Sequence, residues 1–194
     1  MRERRADVAG LHLYDVDSGG WNVPFVRHLL PEEPIVVVHL ARREQGLFVA
    51  PGNPLRVRGV RDLARKGVRY CNRQRDAGTR LFVFHALRRA GVDPAGIDGY
   101  GRAVNTHDAV AAAVAGGRAD CGPGVRAVAD AWGLDFVPLG EESFDLAIPA
   151  ATFASPRLRP FLEAIHDPGF RRAGAALAGY DTARASRVVA RVNG

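Results

Sequence analysis

The stretch Asn72-Arg73-Gln74-Arg75-Asp76-Ala77-Gly78-Thr79-Arg80 decides how this chain reads. It joins a segment at 67–71 that predicts a strand to a segment at 79–90 that predicts a helix. In the helical segment Phe82, Val83, Ala86, Leu87 and Ala90 fall on one face, and Gly91 ends it. A strand–loop–helix unit leaves the first N–H groups of the helix without acceptors inside the helix. The helix dipole adds partial positive charge at the same place, which therefore suits an anion. Gly78 permits close backbone approach, Thr79 offers a hydroxyl, and Arg73, Arg75 and Arg80 are candidate guanidinium forks for an oxyanion.

Outward from this loop the pattern alternates. Ile35-Val36-Val37-Val38-His39-Leu40 is β-branched and apolar and predicts a central strand, with a separate strand at 46–50. A short helix is expected at 60–66, ended by Gly67, and a strand at 100–104. Thr106 stands as an N-cap before an alanine-rich helix at 107–115. Then come a strand at 118–122, a helix at 125–132, and strands at 135–139 and 144–148. Ser155-Pro156 and Asp167-Pro168 each place a capping side chain before a proline, so each predicts a helix start. Alternating strands and helices imply an α/β fold with mainly parallel sheets. A short echo, Arg5-Ala6-Asp7-Val8-Ala9-Gly10 against Arg118-Ala119-Asp120-Cys121-Gly122-Pro123-Gly124, fits two lobes built alike.

Composition narrows the classes. No apolar run approaches the roughly 18 residues of a membrane span, and Met1-Arg2-Glu3-Arg4-Arg5 is charged where a signal peptide would be apolar. A cytoplasmic protein is the expectation. Cys71 and Cys121 fall in predicted strands and read as buried small hydrophobes rather than as a disulfide. No His/Cys spacing suits zinc, so neither a metal nor a cofactor is expected. The formal charge is +6, carried by arginine except at Lys66. From Arg56 to Arg89 eleven basic residues stand against Asp62 and Asp76, so the excess concentrates around the opening loop. That excess attracts anions, either a small oxyanion or a nucleic acid, while most of its arginines read as solvated surface. No Gly-x-Ser-x-Gly, His-Glu-x-x-His or Gly-x-x-x-x-Gly-Lys-Thr motif occurs, and the expectation is a non-enzymatic protein.

A series of short segments resembles one family. Its members here are Ala6-Asp7-Val8-Ala9-Gly10-Leu11-His12-Leu13, Asn22-Val23-Pro24-Phe25-Val26-Arg27, Arg43-Glu44-Gln45-Gly46-Leu47 and Ala50-Pro51-Gly52-Asn53-Pro54. It continues with Asn72-Arg73-Gln74-Arg75, Gly78-Thr79-Arg80, Thr106-His107-Asp108-Ala109-Val110, Gly117-Arg118-Ala119-Asp120 and Gly179-Tyr180-Asp181-Thr182. Together they resemble the periplasmic-binding-protein-like domain related to molybdate- and tungstate-binding proteins. In that family the domain is often attached to a helix-turn-helix regulator or a molybdopterin biosynthesis protein. The resemblance spans 5–187 and implies a two-lobed, type-2 solute-binding α/β fold with ligand between the lobes.

The lobes implied are 1–50 with 140–194, and 51–139, with hinge segments around 46–54 and 139–144. Arg73 matches the arginine of the oxyanion-binding loop, and Gly78 and Thr79 match its Gly-Thr. Ala77 stands where relatives usually carry serine, and Asp76 adds a negative charge. Relatives begin with a further strand and helix before the strand that starts at Ala6. The chain is therefore expected to be a fragment of a longer protein or to have a trimmed first lobe.

The candidate ligand-binding residues are Asn72, Arg73, Gln74, Ala77, Gly78, Thr79, Arg80, Thr106, His107 and His12. Thr106-His107 reads equally as a second ligand arm or a plain cap, His12 as a cleft or a structural histidine, and Asp181 as a turn residue. The leading expectation is a sensing module for a small anion, molybdate or tungstate among them, read out by a partner domain. The rival is an arginine-rich module for nucleic acid or protein interaction with a degenerate cleft.

Overall fold

Fifteen consecutive residues, Ile35–Val49, form one extended strand, β2, onto which most of the sheet is built. Its two ends are β-branched and apolar, which favours a pleated, buried backbone. The structure, a computed structural model, describes residues 6–193. The start of the chain, Met1 to Arg5, which bears on the absence of a leader, lies outside the described residues.

In chain order the elements are β1 (Ala9–Leu11), α1 (Val23–Leu29), β2, β3 (Asn72–Arg73), α2 (Gly78–Ala90), β4 (Ala103–Val104), α3 (His107–Ala115), β5 (Cys121–Val125) and α4 (Arg126–Ala131). They continue with β6 (Asp135–Pro149), α5 (Ala150–Phe153), α6 (Arg159–His166), α7 (Pro168–Ala175), β7 (Tyr180–Asp181) and β8 (Val188–Val192). The chain divides into two compact units. The first runs through Arg43 and resumes at Glu142; the second is Glu44–Glu141. Chain passes between them within β2 and within β6.

In the first unit β1 lies antiparallel to β6, with Gly10 opposite Leu146, and β7 and β8 lie antiparallel to β2. Strand periodicity puts successive side chains of β2 on opposite faces. Ile35 and Val37 pack with Val26 of α1, Ala147 and Val192, while Val36 and Val38 pack with Leu146, Ile148 and Ile165 of α6. Each fully buried Val or Ile stabilises the fold by about 1.5–3 kcal/mol.

In the second unit β5 lies antiparallel to the distal half of β2, Gly46 opposite Gly124. A parallel ladder runs on from it. Cys71 donates its N–H to the Cys121 carbonyl, and Tyr70, Asn72 and Gln74 donate to the carbonyls of Asp98, Arg102 and Val104. Phe48, Cys71, Val110, Ala111, Val114, Ala129 and Leu134 fill the core beside it. Burial pushes the Cys121 thiol up to about 12 and raises Cys71 as well, so both remain protonated small hydrophobes, as their sequence context implies.

Several expectations are corrected. The sheets are not mainly parallel: β1–β6, β2–β5, β2–β7 and β2–β8 are antiparallel, and parallel pairing is found in the ladder around β3. The strands expected at 35–40 and 46–50 are one, since Arg42, Arg43, Glu44 and Gln45 stay extended and find partners instead of turning. The strands expected at 135–139 and 144–148 are likewise one. The strand expected at 67–71 begins later, because Gly67 (φ 87°) closes a turn and the Arg69 N–H is taken by the Asp120 side chain. That expected at 118–122 slides to Cys121–Val125 for the same reason. Residues 60–64 form a tight 3₁₀ turn, and Ser155 does not cap α6: its hydroxyl accepts from Arg157 N–H three residues before the helix continues from Leu158. Asp167 does cap α7, accepting from Gly169 N–H.

Gly122 is a point of close backbone approach in the second unit. A Cβ there would sit 2.5 Å from the Cys71 carbonyl oxygen and press on Val110. Gly122→Ala is expected to destabilise the protein by about 1–3 kcal/mol through overpacking. A urea titration reads this as a lower midpoint at unchanged slope. An unchanged midpoint would show that the ladder is not held so tightly.

Candidate functional site

The second unit's parallel ladder delivers two chain segments to neighbouring positions: β3 leads to α2, and β4 leads to α3. Arg73 is the last residue of β3 and links them. Its side chain is 9% exposed, and its Nη2 donates to the Asn105 carbonyl at 2.9 Å, at the start of α3. Among the described residues no carboxylate pairs with this guanidinium, and burial pulls its pKa below the ordinary arginine value. A buried cation without a counter-ion is unfavourable, and an anion entering the site removes the penalty.

Around Arg73 the loop is built by its own polar groups. Asn72 is fully buried: its Oδ1 accepts from Arg73 N–H at 2.9 Å and its Nδ2 donates to the Tyr100 carbonyl at 3.2 Å. Asn72 therefore shapes the loop from behind. Gln74 has its amide nitrogen toward the Val104 and Asn105 carbonyls, at 3.0 and 3.1 Å, which cross-links the same two segments. Arg75 and Asp76 are exposed at the tip. Arg80 is turned to structural use: Nη1 donates to the Arg73 carbonyl at 2.9 Å, and its guanidinium carbon sits 5.0 Å from the Tyr100 ring centre. The expected second fork is thus a brace for the first.

The two helix starts differ. At α3 Thr106 Oγ1 accepts from Ala109 N–H at 3.0 Å, His107 is the first helical residue, and Asp108 places a carboxylate in the first turn, where it also accepts from Trp132 Nε1. That end is capped and compensated, so its plain reading suffices. At α2 the capping position is Ala77, with extended backbone and no side-chain acceptor, and the first turn has no acidic residue. The amides of Gly78 and Thr79 lie in that turn. A 13-residue helix so begun presents an uncompensated positive end.

Thr79 is buried, and its hydroxyl oxygen accepts from Gln45 Nε2 at 3.2 Å, which leaves its own proton to donate. Gln45 is fully buried and its Oε1 has no partner. Gln45 and Asn105 are the site-forming residues that sequence reasoning missed. The signal for Gln45 is its place as a polar residue between apolar runs of one strand. His12 belongs to the first unit, where its Nδ1 is 3.4 Å from Glu142 Oε2 and its ring stacks on Phe144 at 5.6 Å. Asp181 makes a turn, accepting from Ala183 N–H at 2.8 Å.

Asp120 holds the approach to β3. It accepts from Arg69 N–H at 2.8 Å and pairs with the guanidinium through both oxygens, at 2.7 and 3.0 Å. Hydrogen bonding from the Arg69 side chain lowers the Asp120 carboxyl below its ordinary 3.8, against the opposing effect of burial. Because the folded-state value is depressed, the stability it contributes is complete above 3.8 and is lost as pH falls toward the lower folded-state value. Asp120→Asn is expected to cost about 1 kcal/mol at neutral pH, since Arg69 is half-exposed and screened. Urea midpoints of wild type and variant should draw together as pH falls below 3.8. An equal gap at both pH values would assign the effect to shape rather than charge.

The PBP superfamily domain matches residues 1–166 of the chain. The uncharacterized protein YvgK of Bacillus subtilis (strain 168) is 33% identical over 189 residues, 97% of this chain; the chain spans 61% of that relative's length. Two solved structures share the fold. An ABC-type phosphate transport receptor from Vibrio cholerae has a TM-score of 0.56 at 12% identity, covering 93% of this chain and 81% of its own. The Synechocystis PCC6803 CcmR regulatory domain in complex with 2-PG has a TM-score of 0.56 at 15% identity, covering 84% of this chain and 74% of its own. At these identities the likeness is one of fold. Among the described residues no helix is long and apolar enough to cross a membrane.

Proposed function

The chain belongs to the PBP superfamily, and we propose that its second unit binds a small oxyanion at the start of α2. One observation carries this reading: the buried Arg73 guanidinium, tethered by the Asn105 carbonyl, has no carboxylate partner among the described residues. Three further features support it. The α2 N-terminus is uncapped, the Thr79 hydroxyl keeps a proton to donate, and Gln45 stands buried behind it with an unsatisfied oxygen. A tetrahedral anion placed there accepts charge-assisted bonds from Arg73 and amide bonds from Gly78 and Thr79. Phosphate in the name of one fold neighbour and 2-PG in that of another are in keeping with this ligand class.

Molybdate and tungstate are the oxyanions the motif series favours. Ala77, which cannot supply the hydroxyl that relatives carry, shifts the load onto backbone amides and Arg73. The site binds and does not turn over its ligand. In the whole protein a partner domain would read occupancy, since ligand binding to one conformation shifts the population toward it.

A thermal melt series with molybdate, tungstate, phosphate and sulfate tests the proposal. At about a hundredfold excess over Kd the bound anion adds about 2.7 kcal/mol, which raises Tm by about 5–10 °C for a chain of this length. Arg73→Ala should abolish the shift, and Arg73→Lys should retain only part of it. Melts without anion report any loss of fold in either variant. No shift with any of the four at millimolar concentration would sink the oxyanion reading.

A further inference from the structure

The first unit holds a cavity of about 270 Å³ lined by His39, Ser143, Arg42, Arg184, Arg187 and the two valines that begin β8. It plays no part in the Arg73 site. Its floor is a buried polar cluster. His39 is 7% exposed and its Nδ1 is 2.7 Å from Asp145 Oδ1; Asp145, 2% exposed, also accepts from Ser143 Oγ at 3.0 Å and Asn22 Nδ2 at 2.6 Å. Ser143 Oγ lies 3.2 Å from the same Nδ1. Serine and aspartate thus meet one nitrogen, so the ring cannot relay a proton between them, and a hydrolytic triad is ruled out by geometry. The carboxylate instead fixes the proton on Nδ1.

The rim is a tight turn tied to the same histidine. Arg187 O accepts from His39 N–H at 2.8 Å, and Ser186 N–H donates to His39 O at 2.9 Å. Arg187 N–H closes onto Arg184 O, and Ser186 adopts φ 70°, which sets the two arginines on one short loop. The β2–β8 register shifts between Val37 and Val38, so Val189 is the extra residue of a bulge and stands 49% exposed at the rim. Among the described residues neither Arg184 nor Arg187 has an ion pair, and the Asp145 carboxylate of the floor cluster is itself 2% exposed, beneath His39 and Ser143.

We propose that this cavity is a second anion site, for a small phosphate- or carboxylate-bearing molecule with at most a few carbons. The guanidiniums of Arg184 and Arg187 hold its charged group, His39 and Ser143 form the polar floor, and Val189 flanks its apolar part. The volume falls below that of drug-sized pockets, which suits a small molecule. The site is independent of the Arg73 reading, and either can fail without the other.

The test is an NMR titration of the full chain with inorganic phosphate and, separately, malonate. The His39 ring and the Arg184 and Arg187 Nε signals should shift saturably in the millimolar range or below. Arg184→Gln/Arg187→Gln should weaken this about tenfold or more, as loss of charge-assisted bonds requires. Val189→Asp, which sets a carboxylate at the rim of an exposed position, should do the same. Arg73→Ala should leave these shifts in place. The proposal is overturned by shifts that never saturate, by shifts indifferent to both rim variants, or by a DNA duplex producing them at far lower concentration than either anion, which would make the rim a nucleic-acid surface.

Discussion

Most of the sheet depends on β2 remaining extended for fifteen residues while polar groups of its middle, His39 and Gln45 among them, are buried. β5, β6, β7 and β8 all pair with it. Along one face, at alternate positions, Ile35 and Val37 give way to His39, Arg43 and Gln45. An unpaired buried polar group costs about 1–3 kcal/mol and a buried charge more, so such a strand persists only where each group finds a partner. His39 meets Asp145, Arg43 meets Glu142, and Gln45 meets Thr79. Arg43 also lies over the Phe144 ring at 4.6 Å, and His12 stacks on the same ring at 5.6 Å. Pairing β2 with its partners is what converts a charged stretch into strand.

The Arg73 site shows how a rich set of candidates narrows. Eleven basic residues crowd one part of the sequence, yet nearly all are surface or braces. Arg69 is held by Asp120 and Arg80 by the Arg73 carbonyl and Tyr100. What sets Arg73 apart is burial without a counter-ion. Two helix starts adjoin it, but only the α2 start lacks a cap and an acidic first turn. Charge density therefore located the region, and the balance of charges within it selects the residue.

The helices were legible because their signals are local. The stripe Phe82, Val83, Leu87 with Gly91 at φ 69° marks α2, and the Thr106 cap marks α3. The strands were less so. Arg42 to Gln45 carry the composition of a loop, and partners far along the chain, Glu142 for Arg43 and Arg126 for Glu44, make them strand. Ser155-Pro156 has the composition of a helix start, but its hydroxyl serves a preceding turn. At the site, Arg73, Gly78 and Thr79 follow from position beside a predicted helix. Gln45 and Asn105 do not, because one acts from a distant strand and the other through a backbone carbonyl that any residue carries. The His39 cavity was invisible for the same reason: its floor joins residues about a hundred positions apart.

The two proposed anion sites rest on the same physical arrangement. Each places an arginine where a strand meets a tight turn, held by backbone bonds rather than by a carboxylate. Arg73 is fixed by Asn105 O, and the loop of Arg184 and Arg187 is fixed to the backbone of His39. A carboxylate partner would hold a guanidinium equally well but would neutralise it. Fixing it through neutral groups keeps the charge available while limiting the side-chain entropy lost on binding. The difference lies in burial. Arg73 is desolvated before any ligand arrives, so an anion there recovers a penalty already built into the fold. Arg184 and Arg187 are solvated, and an anion must compete with water for them. Affinity should therefore be higher, and salt dependence weaker, at Arg73 than at the His39 cavity.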